Sequence, residues 1–168
     1  GSGIVLPLLS LWFEVRYHVG VGEIGVVFGA MDAMMVVFML IIPRLSLGMG
    51  RLKTIVITRV ASSLSFVAMA FSPVFAVAGL FLVLRGAFAM GGMPVRQSFV
   101  MTNVHESERA TANGFTSFSR NTASSVGPTI SGYLMGVDAA ALPMYGGLIA
   151  LLDPLLYYLL FRDKWNTD

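Results

Sequence analysis

The sequence has no cysteine, and Asp, Glu, Lys and Arg together make up only 12% of its 168 residues. The first absence excludes a disulfide framework and a thiolate metal site, and it leaves the redox compartment open. The second excludes an ordinary soluble domain, which carries about twice that share of charge to cover its surface. There are two histidines, His18 and His105. The segments around them place them on opposite sides of a membrane, where they cannot share a metal. No HExxH stretch occurs, and no glycine loop precedes a lysine as phosphate binding needs, so neither an enzyme constellation nor a cofactor site is expected. The formal net charge is +2, with the bases scattered through connecting segments. That distribution excludes a nucleic-acid-binding stripe. No cleavable leader is visible and an initiating Met is lacking, so the chain reads as a fragment or a processed product. The opening Gly-Ser-Gly is either an expression scar or native.

What the sequence does have is apolar length. Hydrophobic residues make up 56% of it, and its mean hydropathy is +0.78. Six apolar runs are predicted as helices, at about residues 4–19, 24–43, 54–71, 73–93, 107–136 and 142–161. Each is far longer than a barrel strand requires. The expected fold is an all-α membrane protein, one domain over residues 1–168 with six transmembrane helices. Bases between and after the runs sort by side. Arg44, Arg51, Lys53, Arg96, Arg109, Arg162 and Lys164 fall on one side, and only Arg16 on the other. The positive-inside rule then places both chain ends in the cytoplasm, in a multi-pass protein of the cell membrane. Trp12 and Tyr17 at the outer end, with Tyr157, Tyr158 and Trp165 at the inner end, suit interfacial belts.

The fifth run departs from the others. It is long enough to cross a bilayer, yet it carries Thr116, Ser117, Ser119, Asn121, Thr122, Ser124, Ser125, Thr129 and Ser131. Hydrocarbon offers such groups no partners, so this helix is expected to be walled in by others and wetted on one side. Gly114, Ser117, Asn121, Ser124, Pro128 and Gly132 recur at helical spacing as a small or polar stripe. Gly127-Pro128 removes a backbone hydrogen bond and invites a kink, which suits either a pivot or plain close packing. Gly25-xxx-Gly29 and Gly132-xxx-Gly136 suit close packing in the same way. Pro94, after Gly91-Gly92, marks a bend in the fourth helix or its end. Asn103 with Glu106 three residues later looks like a helix start.

Charge inside a bilayer is costly and defaults to a functional reading. Asp32 lies ~12 Å down the second run and Arg85 ~18 Å down the fourth, at about 1.5 Å per residue. A long Arg side chain can bridge that offset. The two residues are therefore candidates for a substrate or proton pathway, together with Ser117, Asn121 and Ser124. A buried pair that merely locks two helices is the alternative. Asp153 matches Arg85 better in depth and competes for it, but Asp153 precedes Pro154 and suits a cap on a helix restarted there. Arg59, near the inner end of its run, is expected to snorkel to the headgroups. The eleven methionines are scattered through apolar runs as packing filler.

In order along the chain, these motifs resemble one half of a major facilitator superfamily transporter, from Gly3 to Phe161. PRLSLGMGRLK resembles the family's cytoplasmic loop motif GxLaDRxGRK. Leu45, Gly50 and Arg51 match, while Leu47 and Gly48 stand where the motif has an acid and a base. LVLRGAFAMGG resembles the fourth-helix motif through Leu82, Arg85 and Gly91, with Phe88 in the place of Gln. Gly114, Ala123, Gly127, Pro128, Ser131 and Gly132 follow the antiporter-motif spacing, Ala123 and Ser131 replacing glycines. In the family the antiporter motif usually belongs to the amino-terminal half. The eroded loop motif and the segment PVRQSFVMTNVHESERATANGF instead resemble the carboxy-terminal half, which is the expected one. The resemblance implies two inverted three-helix repeats and a substrate site between two six-helix halves near the midplane. The implied partners are a small-molecule substrate, the lipid bilayer and the other half, from the same polypeptide or a second copy. The implied activity is secondary transport by alternating access, with a lining that suits efflux of an amphipathic compound coupled to protons or to exchange. A membrane module that only packs, or a truncated remnant, is the alternative from another class.

Overall fold

A computed structural model describes residues 8–103, 108–138 and 142–161. Glu106, His105, Arg162, Lys164 and Trp165 lie outside these residues, as do the side chains of Arg109 and Arg120. The described residues are helical: α1 Leu9–Tyr17, α2 Val21–Met49, α3 Arg51–Ala70, α4 Phe75–Gly91, α5 Met93–Asn103, α6 Arg109–Asp138, α7 Leu142–Ala150 and α8 Leu152–Phe161. Four stretches are long and apolar enough to cross a membrane, namely Val21–Met49, Arg51–Ala70, Phe75–Thr102 and Leu142–Leu160. The other two expected crossings differ. Only nine residues of the first are described as helix, and α6 has 30 residues but too many hydroxyls and amides.

The helix ends shift from the sequence expectation for local reasons. Pro43 does not end α2, which continues to Met49. A proline removes one donor, but the rest of the ladder can persist when neighbouring groups adapt. Here the Ser46 hydroxyl donates to the Pro43 carbonyl at 2.7 Å. The fourth run extends beyond Met93, breaking only at Gly92 and resuming as α5. Pro94 falls in the first turn of that new helix, where a missing N–H costs nothing. Asn103 is the last described residue of α5, and its expected capping partner Glu106 lies outside the described residues. The sixth run is interrupted at Leu151, whose N–H still donates to the Gly147 carbonyl at 3.1 Å.

The central element is α3, which packs against α2, α4, α5, α7 and α8. Its buried positions include Thr54, Thr58, Ser62, Ser63 and Ser65. Short hydroxyl side chains let neighbouring helices approach, and they satisfy themselves on their own helix. Thr54, Thr58 and Ser65 each donate to the carbonyl four residues back, at 2.8 Å. In the other contact that organises the bundle, α2 lies along α4. A Cβ at Gly86 would collide with Met31, and one at Gly91 would come within 2.6 Å of Ile42 Cδ1 and 2.8 Å of Phe38 Cβ. These two glycines, with Gly79 against Val27, allow the close approach. Gly25, Gly29, Gly132 and Gly136 face open space and pack against nothing among the described residues.

Two apolar cores result. Leu9, Trp12, Phe13, Phe66, Met69 and Leu82 gather towards one end of the bundle. Ile42, Leu52, Ile55, Val95 and Phe99 gather towards the other. Trp12 is fully buried, with ring contacts to Phe13 and Tyr17, so it is a core residue and not part of an interfacial belt. The Tyr17 hydroxyl donates to the Ser72 carbonyl at 2.9 Å and pins α1 to the α3–α4 corner. At the opposite end, Gly50 alone joins α2 to α3 with φ 89° and ψ 147°. Side chains with a Cβ avoid that conformation.

Gly86→Val is expected to destabilise the bundle by about 1–3 kcal/mol through overpacking. Gly29→Val, on an open face, should leave the thermal unfolding midpoint in detergent unchanged. Gly50→Ala should cost ~1–3 kcal/mol from backbone strain alone, with no loss of helical circular dichroism at low temperature.

Candidate functional site

Between the two cores lies a polar layer. On α3 it consists of Arg59, Ser62 and Ser63, bracketed by Ile55 on one side and Phe66 on the other. On α4 it consists of Arg85, between Leu82 of one core and Phe88 of the other. Asp153, in the first turn of α8, completes it. These residues and Arg96 of α5 surround a cavity of about 260 Å³, with Ala89, Ile149 and Ala150 as its apolar wall.

The pairing inside this layer is not the one expected. Arg59 Nε lies 3.2 Å from Asp153 Oδ2. That oxygen has no hydrogen bond among the described residues, so the contact is an ion pair whose geometry is poor for proton donation. Arg59 is therefore held inside the bundle by a carboxylate and does not snorkel, and Asp153 acts as its counter-ion. The restart of α8 at Leu152 puts Asp153 inside the first turn instead of at the cap.

Arg85 keeps only 6% of its surface exposed. Its guanidinium carbon sits 4.4 Å from the Phe66 ring centroid, a cation–π contact that partly offsets lost hydration. Arg85 Nε has no hydrogen-bond partner among the described residues. The Ser62 hydroxyl donates to the Arg85 carbonyl at 3.2 Å, fixing the backbone of α4 against α3 at this level.

Asp32 is elsewhere. It is exposed on α2, and no ion pair joins it to Arg85 among the described residues. The reason is rotational: Gly79 and Gly86 turn one face of α4 towards α2, while Arg85 projects from another face towards Phe66 of α3.

The fifth-run stripe is also open. Gly114, Ser117, Asn121, Ser124 and Gly132 are all exposed, as are Phe115 and Phe118. The chain's own described helices therefore do not wall α6 in. It meets the bundle where Gly127 and Ser131 are buried and Leu134 packs on the first core, and nearer its start, where Asn113 and Thr116 line a cavity with α5 and Tyr157 of α8. The helix passes Gly127-Pro128 without a break. The Ser131 hydroxyl donates to the Pro128 carbonyl at 3.0 Å and Ser125 to the Asn121 carbonyl at 2.9 Å. These bonds satisfy the two hydroxyls on the helix's own backbone. In the loop motif, Arg51 reaches Thr102 Oγ1 at 3.3 Å, tying the start of α3 to the end of α5.

Sequence reasoning missed the hydroxyl ladder of α3 and the Arg59–Asp153 pair. The signal for the first was present as Thr54, Thr58 and Ser62 at four-residue spacing, the period of one helix face.

No curated protein matches the chain. The Major Facilitator Superfamily matches it over residues 1–165. That match spans nearly all of a chain whose described residues form apolar, membrane-length helices. The protein belongs to the Major Facilitator Superfamily, a family of membrane transporters.

Proposed function

We propose that this chain is one six-helix half, the carboxy-terminal one, of a secondary transporter. It moves a small solute by rocking against a companion half, with both chain ends in the cytoplasm of the cell membrane. The observation that carries this reading is the polar stripe of α6, exposed along most of its length. Such a surface cannot face acyl chains, because each unsatisfied polar group there costs several kcal/mol. A second half with water between the two would cover it. The exposed Asp32 of α2 is assigned to the same uncovered face. Ser117, Asn121, Ser124 and Asp32 then line the pathway, and Arg85 stands apart in the intra-bundle layer.

The attachment of α6 supports a moving part. Gly127, Ser131 and Leu134 hold one end, and Asn113 and Thr116 approach α5 and α8 near the other; the exposed Ser117, Asn121 and Ser124 lie on the stretch between them, which can flex. Pro128 lies at that boundary and removes the backbone bond that would stiffen it. A lining of hydroxyls and one amide, with a single carboxylate, favours neutral or amphipathic solutes. Proton-coupled efflux is the mode that an exposed Asp32 and the antiporter-like spacing of α6 support. Family membership favours a transporter over a module that only packs.

Sealed vesicles containing this chain with its companion half should show solute flux driven by an imposed proton gradient. Asp32→Asn and Asn121→Leu should each lower that flux about tenfold, the equivalent of ~1.4 kcal/mol. Leu148→Ala, on the exposed side of α7, should leave it unchanged. No gradient-driven flux across a broad panel of amphipathic solutes, or flux indifferent to both pathway substitutions, would sink the reading.

A further inference from the structure

The cavity between α3, α4, α5 and the α7–α8 segment is not on the exposed surface of α2 or α6. Its lining comes from the interior of this one bundle. Three arginines and a single aspartate line it, an excess of two positive charges in a layer with apolar cores above and below. Isolated charge in such surroundings is expensive unless paired. Asp153 already serves Arg59, and Arg96 has an engagement of its own. Arg85 has no such counter-ion among the described residues. It is more than nine-tenths buried, it lines the cavity, and its Nε has no partner among the described residues. The Phe66 ring covers one face of the guanidinium, which leaves its edge donors for a ligand in the plane. Arg59 adds to the problem, since its charge repels that of Arg85.

The geometry points to a binding site for a phosphate-type oxyanion in this cavity, with Arg85 as its principal donor and Arg59 and Arg96 as flanking charges. A phosphate monoester carries about −1.5 to −2 charge at neutral pH, which matches the excess. Its oxygens accept the forked donors of an arginine side chain in pairs. A cavity of about 260 Å³ accommodates a phosphoryl group with room for water. The Asp153 side chain is 41% exposed and marks where the cavity opens at the bundle surface. Through that opening a soluble phosphate or the head group of a phosphomonoester lipid can enter. Asp153 sits beside the anion as a competitor for Arg59, so bound phosphate trades one counter-charge for another.

Thermal unfolding of the full chain in a neutral glycoside detergent free of phospholipid tests this. One arm titrates inorganic phosphate and the other phosphatidic acid in mixed micelles, with phosphatidylcholine as the lipid control. A rise in the unfolding midpoint with both ligands identifies a soluble phosphate group as sufficient. A rise with phosphatidic acid alone identifies a lipid source. Arg85→Met should abolish the response. Asp153→Asn should strengthen it roughly fivefold in apparent affinity, because the competing carboxylate charge is gone. The second variant keeps the test decisive if the first does not fold. Stabilisation by neither ligand, an equal response to phosphatidylcholine, or binding unchanged or weakened in Asp153→Asn would overturn the site.

Discussion

Charged and hydrogen-bonding groups inside a membrane protein must be met by protein, because the surrounding hydrocarbon cannot meet them. In this chain α3 performs most of that task. Its hydroxyls return to their own backbone, at Thr54, Thr58 and Ser65, so that the helix presents a slim, satisfied surface to its neighbours. Its Arg59 meets Asp153 from α8, and its Phe66 receives the guanidinium of Arg85 from α4. Without α3, Asp153 and Arg85 lose the partners it gives them. The two apolar cores are thus held at a fixed spacing by a layer that is polar but internally paired, apart from the Arg85 edge.

The half-buried Arg59–Asp153 pair contributes little net stability, since desolvation and screening offset most of the attraction. Its effect is on specificity. A shift of α3 along α8 by one turn would separate the charges by ~5.4 Å and strand both. The glycine contact between α2 and α4 is specific in a different way. Gly86 and Gly91 fit Met31, Ile42 and Phe38, and any other alignment places a larger residue where only a hydrogen fits. One contact fixes the register by charge, the other by shape.

The parts legible in the sequence were those that depend on position along a helix. Long apolar runs revealed the helices from Val21 to Met49, Arg51 to Ala70 and Phe75 onward, because so long a stretch with so little charge rarely occurs outside a bilayer. Gly50 was legible through the loop motif, and its φ of 89° supplies the physical reason a glycine stands there. What failed was rotation about the helix axis. Asp32 and Arg85 were placed at compatible depths, but depth is one coordinate, and about 100° of turn per residue sends neighbours to different partners. The same gap accounts for the glycines. Gly25 and Gly29 have the spacing of a packing motif yet face open space, whereas Gly86 and Gly91, at less regular spacing, sit at the contact. Trp12 resembled a belt residue by its place near a helix end, and only the aromatic cluster around it shows that it is interior. For α6 the composition signalled a need for cover but not which chain supplies it.

The one-residue joint at Gly50 has a bearing on motion. With α2 and α3 linked by a single residue, neither helix has slack at that end to slide or tilt without carrying the other. A push on one is delivered to its neighbour at the corner, as a pin passes load between two levers.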